Sequence, residues 1–292
     1  MKQILGRKDT GQTVPENLDG KVTHDTILER FKECYEELYN SAESTEALNA
    51  LKEQISENVC GEESLLEVCK ITGEIVKQAA CKMKPGKGDV SGGYSSDAIL
   101  NAPDIFFDQL AMVYRSWLLH GTVSLNLLAC AFLPLLKNSL KNPAETNSYR
   151  AIAGSSLLLK LFDQVILLLW GHLLASDELQ FGYKANYSTS QCSWFVNEVA
   201  SYFVRKGTSC LVTLLDCTKA FDKCKFDILF KKLVERKLPA IVVRALIFVY
   251  EEQQAWVRWG NASQDLLESL MVQGKGQYSH LLFSLFTWMT SL

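Results

Sequence analysis

The segment 209–233 constrains the fold of this chain more than any other part of its sequence. It opens with an apolar, β-branched run, Ser209–Leu215, which is typical of a buried strand, and the carboxylate of Asp216 follows directly. The side chains of Phe226–Leu233 then repeat apolar character at helical spacing. The predicted order is a strand, a carboxylate, a turn and a helix. Because an ionised carboxylate at a buried strand end requires a cation or hydrogen bonds, this order is typical of divalent-metal sites that serve phosphate chemistry.

Other interpretations of Asp216 follow from the same residues. An aspartate at a strand end often caps the next helix or its turn without binding a metal, and this interpretation stays open. A phosphatase of the haloacid-dehalogenase type needs a second aspartate two residues after the first, but Thr218 occupies that position. An unrelated metal-dependent phosphotransferase would need a second carboxylate cluster, and we find none in the sequence.

Residues 215–222, Leu-Asp-Cys-Thr-Lys-Ala-Phe-Asp, resemble motif A of the reverse transcriptases of non-LTR, LINE- or jockey-like retrotransposons. Further segments resemble other motifs of this family and stand in the family's order: the basic loop Lys82–Asp89, the strand Ala131–Lys137, the segment Asn147–Ala153, the helix start Lys160–Phe162 and the loop Gln180–Tyr183. Ala151 departs from the family, which has a proline there. The resemblance covers residues 82–286, and a weaker likeness extends over Gly20–Ser41.

Two departures from the family's pattern bear on activity. Motif B normally reads Arg-Gln-Gly and then Leu-Ser-Pro, whereas here Gln273-Gly274 comes one residue early and His280 replaces the proline. The sequence also reaches Leu292 without an aromatic-x-Asp-Asp, the hairpin whose carboxylates complete the two-metal site. The resemblance therefore implies a reverse transcriptase domain truncated before that motif, and we expect this chain to be inactive for that reason.

The resemblance also implies roles for the residues of motif A. Asp216 would be the catalytic carboxylate and a metal ligand, with the backbone carbonyl of Cys217 assisting. The expected cofactor of the family is Mg²⁺, which Mn²⁺ can replace. Phe221 would lie beneath the sugar, where its ring would collide with a ribose 2′-OH and favour deoxynucleotides. Spacing alone also allows Phe221 to be a core aromatic at the turn.

Other motifs of the resemblance imply binding residues. Lys137 and Arg150 would grip the incoming triphosphate, a role that suits the planar fork of arginine. Without the motif context, both would be ordinary solvated charges. Gln273 and Gly274 would also contribute to nucleotide binding. Three residues of the loop before the helix predicted at Ser193–Arg205 would touch the template strand: Gln180, Phe181 and Gly182.

Composition and periodicity indicate an α+β protein with two regions. Before Val90, acidic residues outnumber basic ones 17 to 12, whereas bases lead 18 to 16 in the remainder. Pro85 and the four glycines that follow it mark a boundary, so we predict an acidic helical connector over 1–81 and a partial reverse transcriptase domain over 82–292. By resemblance, this domain has the fingers and an incomplete palm of a right-hand polymerase, and the thumb is absent.

Hydrophobic periodicity predicts the elements in detail. The predicted helices are Thr23–Tyr39, Glu43–Ile55, Glu62–Lys82, Ala102–His120, Leu157–Ser176, Ser193–Arg205, Phe226–Arg236 and Ile241–Glu252. The predicted strands are Cys130–Leu136, a partner beyond the turn Asn138–Asn147, and Trp256–Trp259. The apolar stretch Leu157–Leu174 contains Lys160 and Asp163, which favours a buried helix over a membrane span.

Nine cysteines occur without metal-ligand spacing, and no secretory signal follows Met1. Free, mostly buried thiols in an intracellular, reducing compartment are therefore expected, with nucleus and cytoplasm both open. The resemblance implies RNA-templated DNA synthesis, with an RNA template, a DNA primer and deoxynucleoside triphosphates as partners, and no membrane. The alternative is a non-catalytic relic that binds RNA or a protein partner. The sequence leaves the oligomeric state open.

Overall fold

The computed structural model describes residues 17–39, 45–59, 61–90, 92–138, 140–174, 178–182, 186–215, 225–259 and 271–272. The helices in these ranges are α1 (His24–Tyr39), α2 (Thr45–Val59), α3 (Glu62–Cys69), α4 (Gly73–Ala80), α5 (Ser96–Leu100), α6 (Asp104–His120), α7 (Leu157–Trp170), α8 (Thr189–Arg205), α9 (Phe226–Glu235) and α10 (Ala240–Glu252). The strands are β1 (Ala129–Leu136), β2 (Tyr149–Ser155), β3 (Gln254–Val257) and β4 (Met271–Val272). The predicted mixture of helices with a sheet is therefore confirmed.

The four strands form one sheet in the order β2-β1-β3-β4. β1 and β2 are antiparallel and directly consecutive, as a turn between two strands predicts, whereas β1 and β3 are parallel. The pairing with β3 ends at Phe132, whose carbonyl accepts a hydrogen bond from Arg258 N at 2.8 Å. The backbone nitrogen of Pro134, two residues later, points to the same edge of β1, toward β3. Because the pairing of β1 with β3 has already ended there, the missing N–H of Pro134 costs no hydrogen bond, although Pro134 still lies opposite Ala151 of β2.

One face of this sheet packs against α1. Phe31 of α1 is fully buried, and its ring lies 5.3 Å from that of Tyr149 in β2 and 4.9 Å from that of Trp259 after β3. Tyr35, one turn further along α1, lies 5.2 Å from Phe132 of β1. The N-terminal helix thus forms one wall of a core whose other wall is the sheet. Strand alternation places the remaining side chains of β1 and β2 on the opposite face.

A larger core joins α2, α4, α6, α7, α9 and α10. Its centre contains an aromatic cluster in which Tyr114 and Trp117 of α6 lie 5.1 and 5.3 Å from Phe162 of α7. In a second contact, Phe226 of α9 stacks on Tyr250 of α10 at 3.9 Å. The helices before residue 81 therefore share a core with those that follow it.

The apolar helix α7 lies inside this core, as predicted. Within the described part of the chain, the segment Leu157–Leu174 is long and apolar enough to cross a membrane, judged by length and composition alone. Asp163 is nevertheless buried in it, and the hydroxyl of Tyr114 donates to the carbonyl of Leu158 at 2.7 Å. After Trp170 the chain tightens into a 3₁₀ turn, so the regular α-helix is shorter than the periodicity predicts.

Two further helix predictions need correction. The single helix predicted over Glu62–Lys82 is two helices, because Ile71 is buried outside any helix and Thr72 caps α4, its hydroxyl accepting from Ile75 N. The helix predicted from Ser193 begins at Thr189 instead. Its start has a readable signal, since Ser188 and Gln191 form a reciprocal capping box.

The cysteines within the described ranges are not mostly buried. Of the six within the described ranges, Cys130 is buried, whereas Cys69 and Cys81 are exposed at the ends of α3 and α4. The expectation of mostly buried thiols is therefore wrong for these residues, because helix ends at the surface leave small side chains accessible. Burial raises the pKa of the Cys130 thiol to about 12, which keeps it protonated and unreactive.

Asp19 connects the segment before α1 to the β1–β2 loop, and its role predicts a pH dependence. Its carboxylate accepts hydrogen bonds from the hydroxyl and the backbone N–H of Thr146 and from Arg30 Nε. The hydrogen bond from Thr146, chiefly, lowers the pKa of Asp19. A lowered pKa stabilises the fold above the ordinary aspartate range, and this stabilisation disappears as the pH falls through the folded-state pKa.

Replacing Asp19 with asparagine should therefore reduce the acid sensitivity of the protein. We expect the urea midpoint of Asp19→Asn to lie below that of the wild type at about pH 7. At about pH 3 the two midpoints should nearly coincide. The control is Glu29→Gln on the exposed side of α1, which should leave the difference between the two pH values unchanged. Parallel curves for Asp19→Asn and the wild type would contradict the role of this carboxylate.

Candidate functional site

The exposed face of the β1–β2 hairpin brings two predicted site residues together. Arg150 in β2 lies opposite Leu135 in β1, and Lys137 follows β1 with its backbone N–H bonded to Ser148 O at 2.9 Å. This register makes Lys137 and Arg150 diagonal neighbours on one face, with Cα atoms about 7–8 Å apart by strand geometry. Both side chains are exposed on the face opposite α1.

The two cations differ in their present partners. The ammonium of Lys137 donates to the carbonyl of Asn147 at 2.7 Å, which holds it at the tip of the hairpin. The guanidinium of Arg150 extends to solvent. Beside them, β1 and β2 expose apolar side chains on the same face, between 38 and 43% accessible: Leu133, Leu135 and Ile152. Two cations next to an apolar surface can hold a phosphate chain together with the sugar or base attached to it.

The segment before Asp216 does not form the predicted buried strand. Residues 208–215 belong to no regular element, and the side chains of Leu211 and Leu215 are each 92% exposed. A β-branched run becomes a strand only when a neighbouring strand supplies its hydrogen bonds, and no strand within the described ranges pairs with it. The prediction therefore identified the apolar pattern correctly but gave the segment a wrong conformation.

The helix α8, which precedes this segment, is also uncovered. It has no buried side chain among its 17 residues, and its exposed aromatic residues include Trp194, Phe195, Tyr202 and Phe203. Amphipathic helices normally bury one face against a domain. Both α8 and the segment 209–215 therefore expose apolar side chains that no described residue buries.

Several predicted site residues lie outside the described ranges: Asp216, Cys217, Phe221, Gln273 and Gly274. Their roles stay predictions. The helix that should follow motif A is present, since α9 begins at Phe226, as the periodicity predicts. Among the residues that the structure describes, no cluster of three acidic, histidine or cysteine side chains could hold a metal ion. The described donors alone therefore do not fit a metal centre, and we derive no reaction step through one.

The predicted template residues form a short loop before α8. Gln180 Nε2 donates to the carbonyl of Gly182 at 3.0 Å, and the ring of Phe181 meets that of Tyr187 edge-on at 5.7 Å. All three predicted residues are partly accessible. Capping of α8 by Ser188 fixes the end of this loop. An accessible aromatic ring in such a loop can stack on a base.

The basic loop predicted from Pro85 and the glycines around it forms turns rather than a helix or a strand. We call residues 82–90 the lysine loop, because Lys82, Lys84 and Lys87 extend from it into solvent. Asp89 is its one buried residue, and its carboxylate accepts from the backbone N–H of Leu157 at 2.7 Å, at the start of α7. Sequence reasoning gave Asp89 no role. A cap that comes from 68 positions upstream leaves no local signal in the sequence.

The described residues form a mixed α and β domain that presents a cationic strand hairpin and a lysine loop, an arrangement that can hold phosphate groups. A family model described as reverse transcriptase (RNA-dependent DNA polymerase) matches residues 136–287, just over half of the chain. The chain therefore belongs to the reverse transcriptase family. A comparison with curated proteins gives no match. The family carries out RNA-templated DNA synthesis, uses divalent metal ions and binds template RNA, primer and nucleotides.

Proposed function

We propose that this chain is the reverse transcriptase domain of a non-LTR, LINE- or jockey-like retrotransposon-derived protein. In it, the exposed face of the β1–β2 hairpin would hold the incoming deoxynucleoside triphosphate. The observation that carries the proposal is the placement of Lys137 and Arg150 as diagonal neighbours beside an apolar surface. The order of the motifs from Lys82–Asp89 to motif A supports the non-LTR subtype. The hairpin and the lysine loop would belong to the fingers.

Each cation has a distinct part in this proposal. Arg150 would bind two phosphate oxygens at once with its planar fork, which orients the triphosphate as well as attracting it. Lys137 would exchange its hydrogen bond to Asn147 O for a phosphate oxygen, a small movement at the end of a flexible stem. Leu135 and Ile152 would exclude water from one side of the bound nucleotide.

The remaining parts of the site are proposed from motif A. Asp216 would be the carboxylate that binds Mg²⁺, with the carbonyl of Cys217 beside it, and Phe221 would discriminate against ribonucleotides by steric collision. When bound, the metal would neutralise charge that develops on the transferred phosphate. The 292 residues contain no aromatic-x-Asp-Asp, so we propose that this polypeptide alone binds nucleotide and nucleic acid without extending a primer.

Binding of a fluorescent deoxynucleoside triphosphate tests the site without requiring catalysis. Replacing Arg150 with alanine should weaken binding about tenfold or more, because a charge-assisted bond contributes roughly 1.5–3 kcal/mol. Arg150→Lys should recover only part of this loss, since an ammonium lacks the two parallel N–H donors with which a guanidinium binds a pair of phosphate oxygens. The affinity would be measured by fluorescence anisotropy at constant ionic strength.

The matched control is Arg205→Ala, which removes an exposed arginine from α8 and changes the net charge equally. We expect it to leave nucleotide affinity within about twofold of the wild type. Equal losses for the Arg150 and Arg205 variants would mean that net charge alone attracts the nucleotide. That result would contradict a nucleotide site on the β1–β2 face.

A further inference from the structure

The backbone of the lysine loop is fixed by side chains from the segment that follows it. Gly86 N donates to both carboxylate oxygens of Asp97 at 3.1 Å, and Lys87 N donates to the hydroxyl of Ser96 at 2.9 Å. Gly86 adopts φ +70, a conformation that glycine permits without strain. The loop therefore has a defined conformation even though most of its side chains are exposed.

A second set of contacts attaches the loop to the start of α7. Asp89 caps this helix through Leu157 N, and the hydroxyl of Tyr94 lies 3.2 Å from that of Ser156. Asp89 N also donates to Tyr94 O at 2.9 Å, so the two contacts reinforce each other. Because Ser156 directly follows β2, the loop is connected to the strand that carries Arg150.

The three exposed lysines of the loop, Lys82, Lys84 and Lys87, form no ion pair with any residue that the structure describes. Two acidic residues contact the backbone around the loop instead of its lysines: Asp97 accepts from Gly86 N, and the buried Asp89 accepts from Leu157 N. A fixed backbone that presents three cations to solvent creates a local positive potential, which favours a bound polyanion.

We propose that the lysine loop binds the phosphate backbone of a nucleic-acid strand, and that Asp89 and Asp97 are the residues that position it. This inference rests on the proposed function, but it concerns a second group of cations, separate from Lys137 and Arg150. The fixed backbone matters because the lysines then lose less conformational freedom on binding. Contacts of this kind follow the backbone and are independent of base sequence.

Strand β2 separates Arg150 from the residues that hold the lysine loop. Arg150 is near the start of β2, whereas the loop contacts the residues that follow Ser155 at its end. Five residue steps of strand span roughly 17 Å. That length corresponds to about five base steps along one strand of a duplex. A strand held at the lysine loop could therefore extend to the nucleotide at Arg150.

The salt dependence of binding to a labelled single-stranded RNA oligonucleotide tests this inference. Affinity falls as salt rises, and each lost phosphate contact should reduce the magnitude of the negative slope of log affinity against log salt by about 0.7. Combined replacement of Lys82, Lys84 and Lys87 by alanine should therefore reduce this magnitude by about 2 and weaken binding about tenfold or more. The control combines Lys21→Ala, Lys206→Ala and Lys231→Ala, which removes the same charge from exposed positions elsewhere.

The positioning role has its own variants. Asp97→Ala removes the acceptor for Gly86 N at an exposed position that leaves the cores intact, and it should weaken RNA binding about threefold or more. Asp89→Ala should do the same, whereas Asp89→Asn keeps an oxygen acceptor for Leu157 N and should recover most of the affinity. Trypsin should cut the lysine loop faster in both alanine variants, and bound RNA should protect the loop of the wild type.

The outcomes separate this inference from the proposed function. Equal loss of slope in the loop variant and in the control variant would overturn the inference, because net charge would then explain binding. Nucleotide binding by a wild-type chain that binds no RNA would overturn the inference, together with the nucleic-acid binding of the proposed function, and would leave the nucleotide site on the β1–β2 face in place. Binding of neither nucleotide nor RNA would overturn both. Full RNA affinity in Asp97→Ala and Asp89→Ala would overturn the positioning role alone.

Discussion

Replacing Phe31 with alanine should lower the free energy of unfolding by about 3–5 kcal/mol. The ring is fully buried between β2 and the residues after β3, where it contacts Tyr149 and Trp259. Removing it leaves a cavity that rigid strands on one side and α1 on the other cannot close. A loss of this size is a large fraction of the total stability of an ordinary domain.

Urea unfolding, followed by the fluorescence of buried tryptophan, measures this effect. Trp259 lies in the same cluster and reports its disruption directly. Glu37→Ala, on the exposed side of the same helix, is the control and should change stability by less than about 0.5 kcal/mol. A Phe31 variant as stable as this control would mean that α1 is dispensable for the sheet. The expected result would instead make residues 17–39 part of the folded polymerase domain, although the family model begins at residue 136.

The elements with strong local signals could be predicted from the sequence. The strand β1, the turn after it and β2 follow from an apolar run, a cluster of turn residues and a second apolar run. The helix α9 begins at Phe226, where the spacing predicts it. The positions of Lys137 and Arg150 on one face then follow from alternation and register alone, because side chains two residues apart share a face of a strand.

Long-range contacts could not be predicted in the same way. Nothing near Phe31 indicates that its partners are Tyr149 and Trp259, because amphipathicity identifies a buried face but not the surface that covers it. The capping of α7 by Asp89 is similar, since capping signals are recognisable only when cap and helix are adjacent in sequence. Both contacts decide where the candidate site lies relative to the cores.

The wrong strand at 209–215 has a different cause. Its composition favours a strand, yet β-propensity mainly measures how well a residue packs on a paired, half-buried sheet. The four-stranded sheet of the described residues has β2 and β4 at its edges, and neither pairs with this segment. The apolar pattern therefore marks a surface that needs a partner, and the same reasoning applies to α8, where Trp194 and Phe195 are exposed.

The largest effect on activity concerns motif A, and the expected result is negative. The purified 292-residue polypeptide should incorporate no labelled deoxynucleotide on a primed RNA template, with either Mg²⁺ or Mn²⁺. Of the family's two carboxylate motifs, the sequence contains only the one with Asp216. When catalytic groups act as a unit, the absence of one of them removes most of the rate of the enzyme. We therefore expect activity at least about 10⁴-fold below that of a complete enzyme.

The comparison that decides this prediction is between the wild-type chain and Asp216→Ala under identical conditions. Both should give the same background, while fluorescent nucleotide binding that depends on Arg150 confirms that the wild-type chain is folded and holds its substrate. Template-dependent synthesis that Asp216→Ala abolishes would contradict the prediction. It would mean that other carboxylates of this chain complete the metal site, because a single aspartate cannot hold two divalent ions against the repulsion between them.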